Sequence, residues 1–211
     1  MANETALSFL RQGSRAWNEW RRHGKEIGGL DLAGVDLSGA DLREFNFELA
    51  NLTNANLSAA DLTQAKLAKS VLRNSNFRMA DLSEADFSNA TLAGADLSGA
   101  ILHGTDFEGA RLTNAIFAGT ILGTAIFRGA NLDGADLRAA VLFGADFRRA
   151  SISGAKGLEP NLEIAIDSNI SEDKVADILQ ALASYYRACG GVGFDLRVET
   201  AQQDKGMVAG A

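Results

Sequence analysis

Residues that commonly do chemistry are scarce in this sequence. It has two histidines, His23 and His103, and a single cysteine, Cys189. General acid–base or nucleophilic catalysis needs such a group beside a partner that tunes or orients it. His103 falls at an outward-facing position and His23 follows a helical segment, so both read as surface residues. Cys189 has no base or metal partner near it in sequence and reads as a buried helix residue. The run Gly190-Gly191-Val192-Gly193 lacks the preceding strand and following helix of a dinucleotide-binding turn. Aspartates recur at Asp41, Asp61 and Asp81, but without the ligand spacing of a calcium loop. No catalytic, metal or cofactor site is therefore expected, and the protein reads as a non-enzyme.

What the sequence does carry is a repeat. A large apolar residue stands at every fifth position from Leu32 to Ile152, giving 25 consecutive repeats whose centres are 17 Leu, 7 Phe and 1 Ile. Two residues before the centre the side chain is small, with Ala at 18 of the 25 places. Asp or Asn often immediately precedes the centre, as in Asp31, Asp36, Asp41, Asn46 and Asn51. Two residues after it Gly recurs, as in Gly34, Gly39, Gly94 and Gly99, with Asn at several other places. A period of five keeps one face on neither a helix nor a strand. It makes sense if the chain turns a corner in every repeat, where Gly and Asn reach positive φ cheaply.

The phenylalanines count the corners. Phe47, Phe87, Phe107, Phe127 and Phe147 are separated by multiples of 20, Leu67 fills the vacancy, and Phe77 and Phe117 lie 40 apart. Four pentapeptides therefore close one turn of a four-sided coil, with a column of stacked rings inside. About six coils at strand spacing would make a rod roughly 30 Å long.

The motif seen at Ala95-Asp96-Leu97-Ser98-Gly99, Ala40-Asp41-Leu42 and Ala135-Asp136-Leu137 resembles the pentapeptide-repeat family. The resemblance covers residues 31–155 and implies an all-β solenoid: a right-handed, four-sided β-helix with the centre and the small residue pointing inward. Around it the expected organisation is an N-terminal α-helical cap over 1–30, the repeats over 31–155, a small C-terminal α/β module of strand–helix–strand type over 156–199, and a disordered tail over 200–211. Residues 4–22 read as one amphipathic helix, with Asn3 as N-cap, a stripe of Leu7, Leu10, Trp17 and Trp20, and Gly24 as its end. The stretch Leu10–Arg21 also resembles a segment that often precedes such arrays in bacterial proteins. Leu30, Val35 and Phe45 are oversized for their positions and are expected to meet this helix. After Ile152 the register is expected to end in a linker over 153–160. In the module, Leu162, Ile164 and Ile166 alternate as a strand. Ser171 caps a helix with Val175, Ile178, Leu179, Leu182 and Tyr186 on one face, and Phe194, Leu196 and Val198 alternate again.

Charge excludes some partners. The chain carries 20 basic and 27 acidic residues for a net charge of -7. No segment has the basic excess of a nucleic-acid binder, so direct nucleic-acid binding is not expected. No apolar run is long enough for a transmembrane helix. The start, Met1-Ala2-Asn3-Glu4, lacks the pattern of a signal segment, and with one cysteine a cytoplasmic location is the simplest reading.

Two surface features stand out. Ile101, Ile121 and Val141 occupy the outward position usually held by Asp or Asn, 20 residues apart, so they stack on one side. Ile116 and Ile126 lie on the flanking sides and Phe143 extends the same side, completing a candidate interaction patch. Earlier coils of that side carry a candidate acidic strip of Asp41, Asp61 and Asp81. The expected function is a protein-binding scaffold or adaptor with a protein partner of unknown identity, self-associating as a homodimer through its C-terminal half; the alternative is that the C-terminal module caps its own coil. The family resemblance implies a competing function. Some members resemble a DNA duplex in shape and charge, bind type II topoisomerases such as gyrase and protect them from quinolones. Arg73, Arg78, Arg111, Arg128, Arg138, Arg148 and Arg149 interrupt the acidic surface such a mimic would need.

Overall fold

The computed structural model describes residues 4–23, 29–142 and 144–157. The chain divides into two compact units, Met1–Leu158 and Glu159–Ala211. The expected C-terminal module beyond residue 157 and the tail fall outside the described residues, as do Asn3, Gly24, Phe143 and Cys189.

From Asp31 onward the chain winds into a coil in which each residue before a centre pairs in parallel with the residue one coil later. The pairs run from Asp31–Asn51 to Asp136–Lys156. Four such ladders make four faces. Face 1 holds Asp31, Asn51, Val71, Thr91, Arg111 and Asn131; face 2 holds Asp36, Asn56, Asn76, Asp96, Ile116 and Asp136. Face 3 holds Asp41, Asp61, Asp81, Ile101, Ile121 and Val141; face 4 holds Asn46, Lys66, Asp86, Asp106, Ile126 and Asp146. Coil 1 spans 31–50, and each later coil follows at the same length.

The pentapeptide spends its backbone groups in two directions. The amide before the centre reaches the preceding coil, as from Asn51 to the Leu30 carbonyl at 2.8 Å, and the centre's amide reaches the following one, as from Leu32 to the Asn51 carbonyl at 2.8 Å. The corner closes on itself through a bond such as that from the Val35 amide to the Leu32 carbonyl at 3.2 Å. In every corner but one the third residue takes positive φ, whether it is Gly34 at 68°, Asn54 at 58° or Ala59 at 55°. Because the corners satisfy peptide groups every five residues, the faces need only one paired residue each and never lengthen into ordinary strands.

Inside, the centres and the small residues are buried almost without exception from Leu32 to Phe127. Rings on face 4 stack, with centroids 5.0 Å apart for Phe87–Phe107, 5.0 Å for Phe107–Phe127 and 4.8 Å for Phe127–Phe147. Phe117 on face 2 meets Phe107 and Phe127 edge-on, at 6.2 and 5.8 Å. Ser70, Ser75, Thr105 and Thr120 replace alanine in the interior, and each hydroxyl donates to a main-chain carbonyl. Burying a hydroxyl without a partner would cost roughly 1–3 kcal/mol.

Two expectations are corrected, and one corner departs from the rest. The N-terminal segment is two helices, α1 at Glu4–Leu10 and α2 at Ser14–His23. Gly13 divides them at φ 91°, a conformation a continuous helix excludes. The coil also outlasts Ile152. Gly154 keeps the corner φ of 67°, Lys156 pairs with Asp136, and the Lys156 amide reaches the Ala135 carbonyl at 2.8 Å. Register fails at Gly157, which stands where a buried centre would and has no side chain to offer; a Cβ there would run into the Arg138 backbone. Finally, one corner is built as a mirror image. In Leu122-Gly123-Thr124-Ala125 the positive φ, 50°, belongs to Gly123 rather than to the next residue. Glycine standing one position early selects the turn that needs positive φ at its first central residue.

Candidate functional site

The aspartates and asparagines on the faces have a structural job. The side chain accepts the amide two residues on, as from Asp31 to Ala33 at 3.1 Å and from Asp61 to Thr63 at 3.0 Å. Where Ser or Thr follows, its hydroxyl donates to the same oxygen, at 2.6 Å from Ser83 to Asp81. This local bond pins the corner. It explains why Asp or Asn precedes the centre so often, and it makes the exceptions informative.

Ile101, Ile121 and Val141 are such exceptions. The structure brings them together as three successive rungs of face 3, paired Ile101–Ile121 and Ile121–Val141. They are 43%, 52% and 52% exposed. Each forgoes the side-chain acceptor that would pin its corner, a bond worth about 1 kcal/mol, and each places an aliphatic group in water. Ile116 and Ile126 lie half-buried on the flanking faces, between Asp96 and Asp136 and between Asp106 and Asp146 respectively. They border the patch without joining the stack.

The acidic strip occupies the same face in coils 1–3, as Asp41–Asp61–Asp81. It is not bare. Arg43 sits 2.6 Å from Asp41 and 3.6 Å from Asp61. Its hydrogen bonds hold the Asp41 carboxyl down at about 2. Other face carboxylates are paired likewise: Asp96 with Arg78 at 3.0 Å, Asp136 with Arg138 at 2.6 Å, and Asp146 with both Arg128 and Arg148 at 2.6 Å.

The sequence reading missed how the N-terminal helices engage coil 1. Trp17 is fully buried, 5.2 Å from Phe47 and 5.9 Å from Phe45. Its indole Nε1 donates to the Asn46 carbonyl at 2.7 Å, and the Arg21 guanidinium donates to the Glu48 carbonyl. Asn18 accepts the Asn46 amide at 2.9 Å and donates to the Glu44 carbonyl at 2.9 Å. On the next coil the groups equivalent to the Asn46 amide and the Asn46 and Glu48 carbonyls bond the preceding coil, so α2 stands in for a missing coil on face 4. Phe45 meets the helix as expected. The remaining signal was the placement of Trp17, Asn18 and Arg21 within one turn. A cleft lined by Gly13, Ser14, Asp41, Arg43, Glu44 and Phe45 opens beside this contact.

Neither histidine joins a constellation. His23 lies 3.5 Å from Glu19 on an exposed helix surface, and His103 is exposed on face 3. Among the described residues no group of His, Cys, Asp and Glu could hold a metal ion, and no helix is long and apolar enough to cross a membrane.

The repeat, its ladder and its corners match known families. A model described as a pentapeptide repeat region covers residues 40–117, and one described as pentapeptide repeats (9 copies) covers 96–141. This chain belongs to the pentapeptide-repeat family. Its four-sided β-helix is that family's architecture. Similar solved structures include a pentapeptide-repeat protein of the Arabidopsis thaliana thylakoid lumen, 32% identical over 49% of this chain and 68% of that one, with a TM-score of 0.37. One from the cyanobacterium Cyanothece 51142 is 26% identical over 66% of this chain and 95% of that one, with a TM-score of 0.45. A plasmid-mediated fluoroquinolone resistance protein is 19% identical over 72% of this chain and 84% of that one, with a TM-score of 0.34. No curated protein matches.

Proposed function

We propose that this pentapeptide-repeat protein is a non-catalytic scaffold that binds a protein through face 3 of coils 4–6. One observation carries the reading: three successive rungs, Ile101, Ile121 and Val141, replace the corner-pinning Asp or Asn with exposed aliphatics. The fold gains nothing from that replacement, since Asp41, Asp61 and Asp81 occupy the same rungs of coils 1–3 and serve the corners better. A contiguous apolar strip on an otherwise polar wall is the signature of a contact surface. The rival reading, an acidic mimic of DNA, ranks second because arginines pair with the face carboxylates at Asp41, Asp96, Asp136 and Asp146.

A photo-crosslinking residue placed at Ile121, with one at Thr91 on face 1 as control, tests the scaffold in cells that express the protein. A discrete adduct at 121 and none at 91 is the expected result. Adduct patterns that are the same at both positions, or absent from both, overturn the reading.

A further inference from the structure

One corner beside face 3 breaks the bonding that runs along all the others. From Gly34 to Gly119 the third residue of each corner donates its amide to a carbonyl of the next coil, as from Gly99 to Ala118 at 3.0 Å and from Gly109 to Arg128 at 2.9 Å. Gly104 is the exception, and its amide has no partner among the described residues. The mirror-image corner is the cause. Gly123 stands where the acceptor should be, but its carbonyl is turned toward coil 6: a Cβ on Gly144 would lie 2.9 Å from the Gly123 oxygen. A trans peptide is planar, with its N–H and C=O opposed. The Thr124 amide therefore points back toward coil 4. The Gly104 amide points forward to meet it, because the His103 carbonyl on the same peptide accepts from Glu84, in coil 3, at 2.8 Å. Two N–H groups thus converge on the junction of coils 4 and 5, next to the exposed rungs Ile101 and Ile121.

We infer that this junction binds the C-terminal carboxylate of a partner protein whose last residues are aliphatic. The inference rests on the scaffold reading above and names the group that is recognised. Convergent main-chain amides make a site for an oxygen, and a charged acceptor gains most from them. Neighbouring coils stand about 4.8 Å apart, so one oxygen at the rim of the gap can accept from both amides. The surroundings select among anions. No lysine or arginine stands at 101–104 or 121–124, so nothing there balances a phosphate, which carries close to two charges. A carboxylate brings one. His103 and Thr124 flank the junction and are the nearest donors for its second oxygen: the His103 ring lies against Gly123, and Thr124 Oγ1 lies 3.9 Å from where a Cβ on Gly104 would be. The neighbouring acids are engaged elsewhere, since Glu84 accepts from Gln64 at 2.7 Å and Asp106 from the Glu108 amide at 2.8 Å. Ile101 and Ile121 offer apolar contact beside the amides. A carboxylate and an aliphatic side chain meet on one residue at the end of a chain, and capture of such an end by backbone amides is a recurring mode of peptide recognition.

NMR on the isotope-labelled full chain tests this, with the dipeptide acetyl-Leu-Leu as probe. Its free acid should move the Gly104 and Thr124 amides downfield and saturate, while the Gly39 and Gly99 amides stay in place. The same dipeptide with an amidated end should bind at least about fivefold more weakly, having lost the charge-assisted bonds. Gly123→Ser combined with Thr124→Gly returns glycine to its ordinary place and gives the Gly104 amide an acceptor again. That variant should keep a melting temperature close to wild type and lose the response to the acid. Gly104 and Thr124 amides that ignore the free acid would mean that the junction holds water alone, and would overturn the proposal. Equal affinity for the acid and the amide, or undiminished binding by the double variant, also overturns it. The two readings fail separately: a chain whose Ile121 crosslinks a discrete partner while Gly104 ignores the acid loses the carboxylate site and keeps the scaffold.

Discussion

The indole of Trp17 donates to the carbonyl of Asn46 at 2.7 Å, in the place where a preceding coil would supply a backbone amide. A β-helix must do something with the open edge of its first coil. Here a helix answers with side chains, one hydrogen bond at a time, while the ring covers Phe47. The contact should be measurable. Trp17→Phe keeps most of the packing and leaves the carbonyl unsatisfied, at a cost of about 1–3 kcal/mol. Trp17→Ala also opens a cavity and should cost about 3–5 kcal/mol. Urea melts distinguish them, and equal losses would mean that the hydrogen bond contributes nothing.

The ring column should carry stability in its middle. Phe107 stacks at 5.0 Å on both Phe87 and Phe127 and is fully buried. Phe107→Ala is expected to lower stability by about 3–5 kcal/mol. A loss below about 1 kcal/mol in the same melts would contradict burial of the column.

The mirror-image corner gives a paired test. Gly123→Ser puts a side chain at positive φ, against the His103 ring, and should cost about 1–2 kcal/mol. Adding Thr124→Gly moves glycine to the position it holds in other repeats and should recover most of that loss. A double variant no more stable than the single one would show that turn type is not the cause.

Acid should weaken the fold within a defined window. Asp41 and Asp136 are held at about 2, below the ordinary 3.8, first by side-chain hydrogen bonds from Arg43 and Arg138. Asp146 is lowered too, first by Arg148. A carboxylate whose pKa is depressed by folding stabilises the native state above its unfolded pKa and loses that contribution as pH falls through the folded value. Melting temperature should therefore be level from neutral pH to about 5 and decline between about pH 4 and 2. Arg138→Gln should shift the NMR titration of Asp136 upward. If Asp136 titrates unchanged in that variant, Arg138 is not what lowers it.

Much of this molecule was legible before any coordinates. The spacing of Phe47, Phe87, Phe107 and Phe127 required four corners per coil, because stacked rings must recur at the coil period. The same arithmetic placed Ile101, Ile121 and Val141 on one face, since position along a regular ladder depends on sequence number alone. Features that depart from the period were not legible. The break at Gly13 arises because α2 must lie against coil 1 while α1 folds back on it, placing Phe9 5.4 Å from Trp20; helical periodicity alone runs straight through. The bonds from Trp17, Asn18 and Arg21 to coil 1 depend on where two distant segments meet. The pairing of Arg43 with Asp41 and Asp61 depends on rotamers that bridge successive coils. The repeat determined the coil, its faces and its core, for these follow from local turns repeated at a fixed interval. Tertiary structure alone decided how the first coil is covered and which charges are neutralised, for these follow from contacts between groups that no period relates.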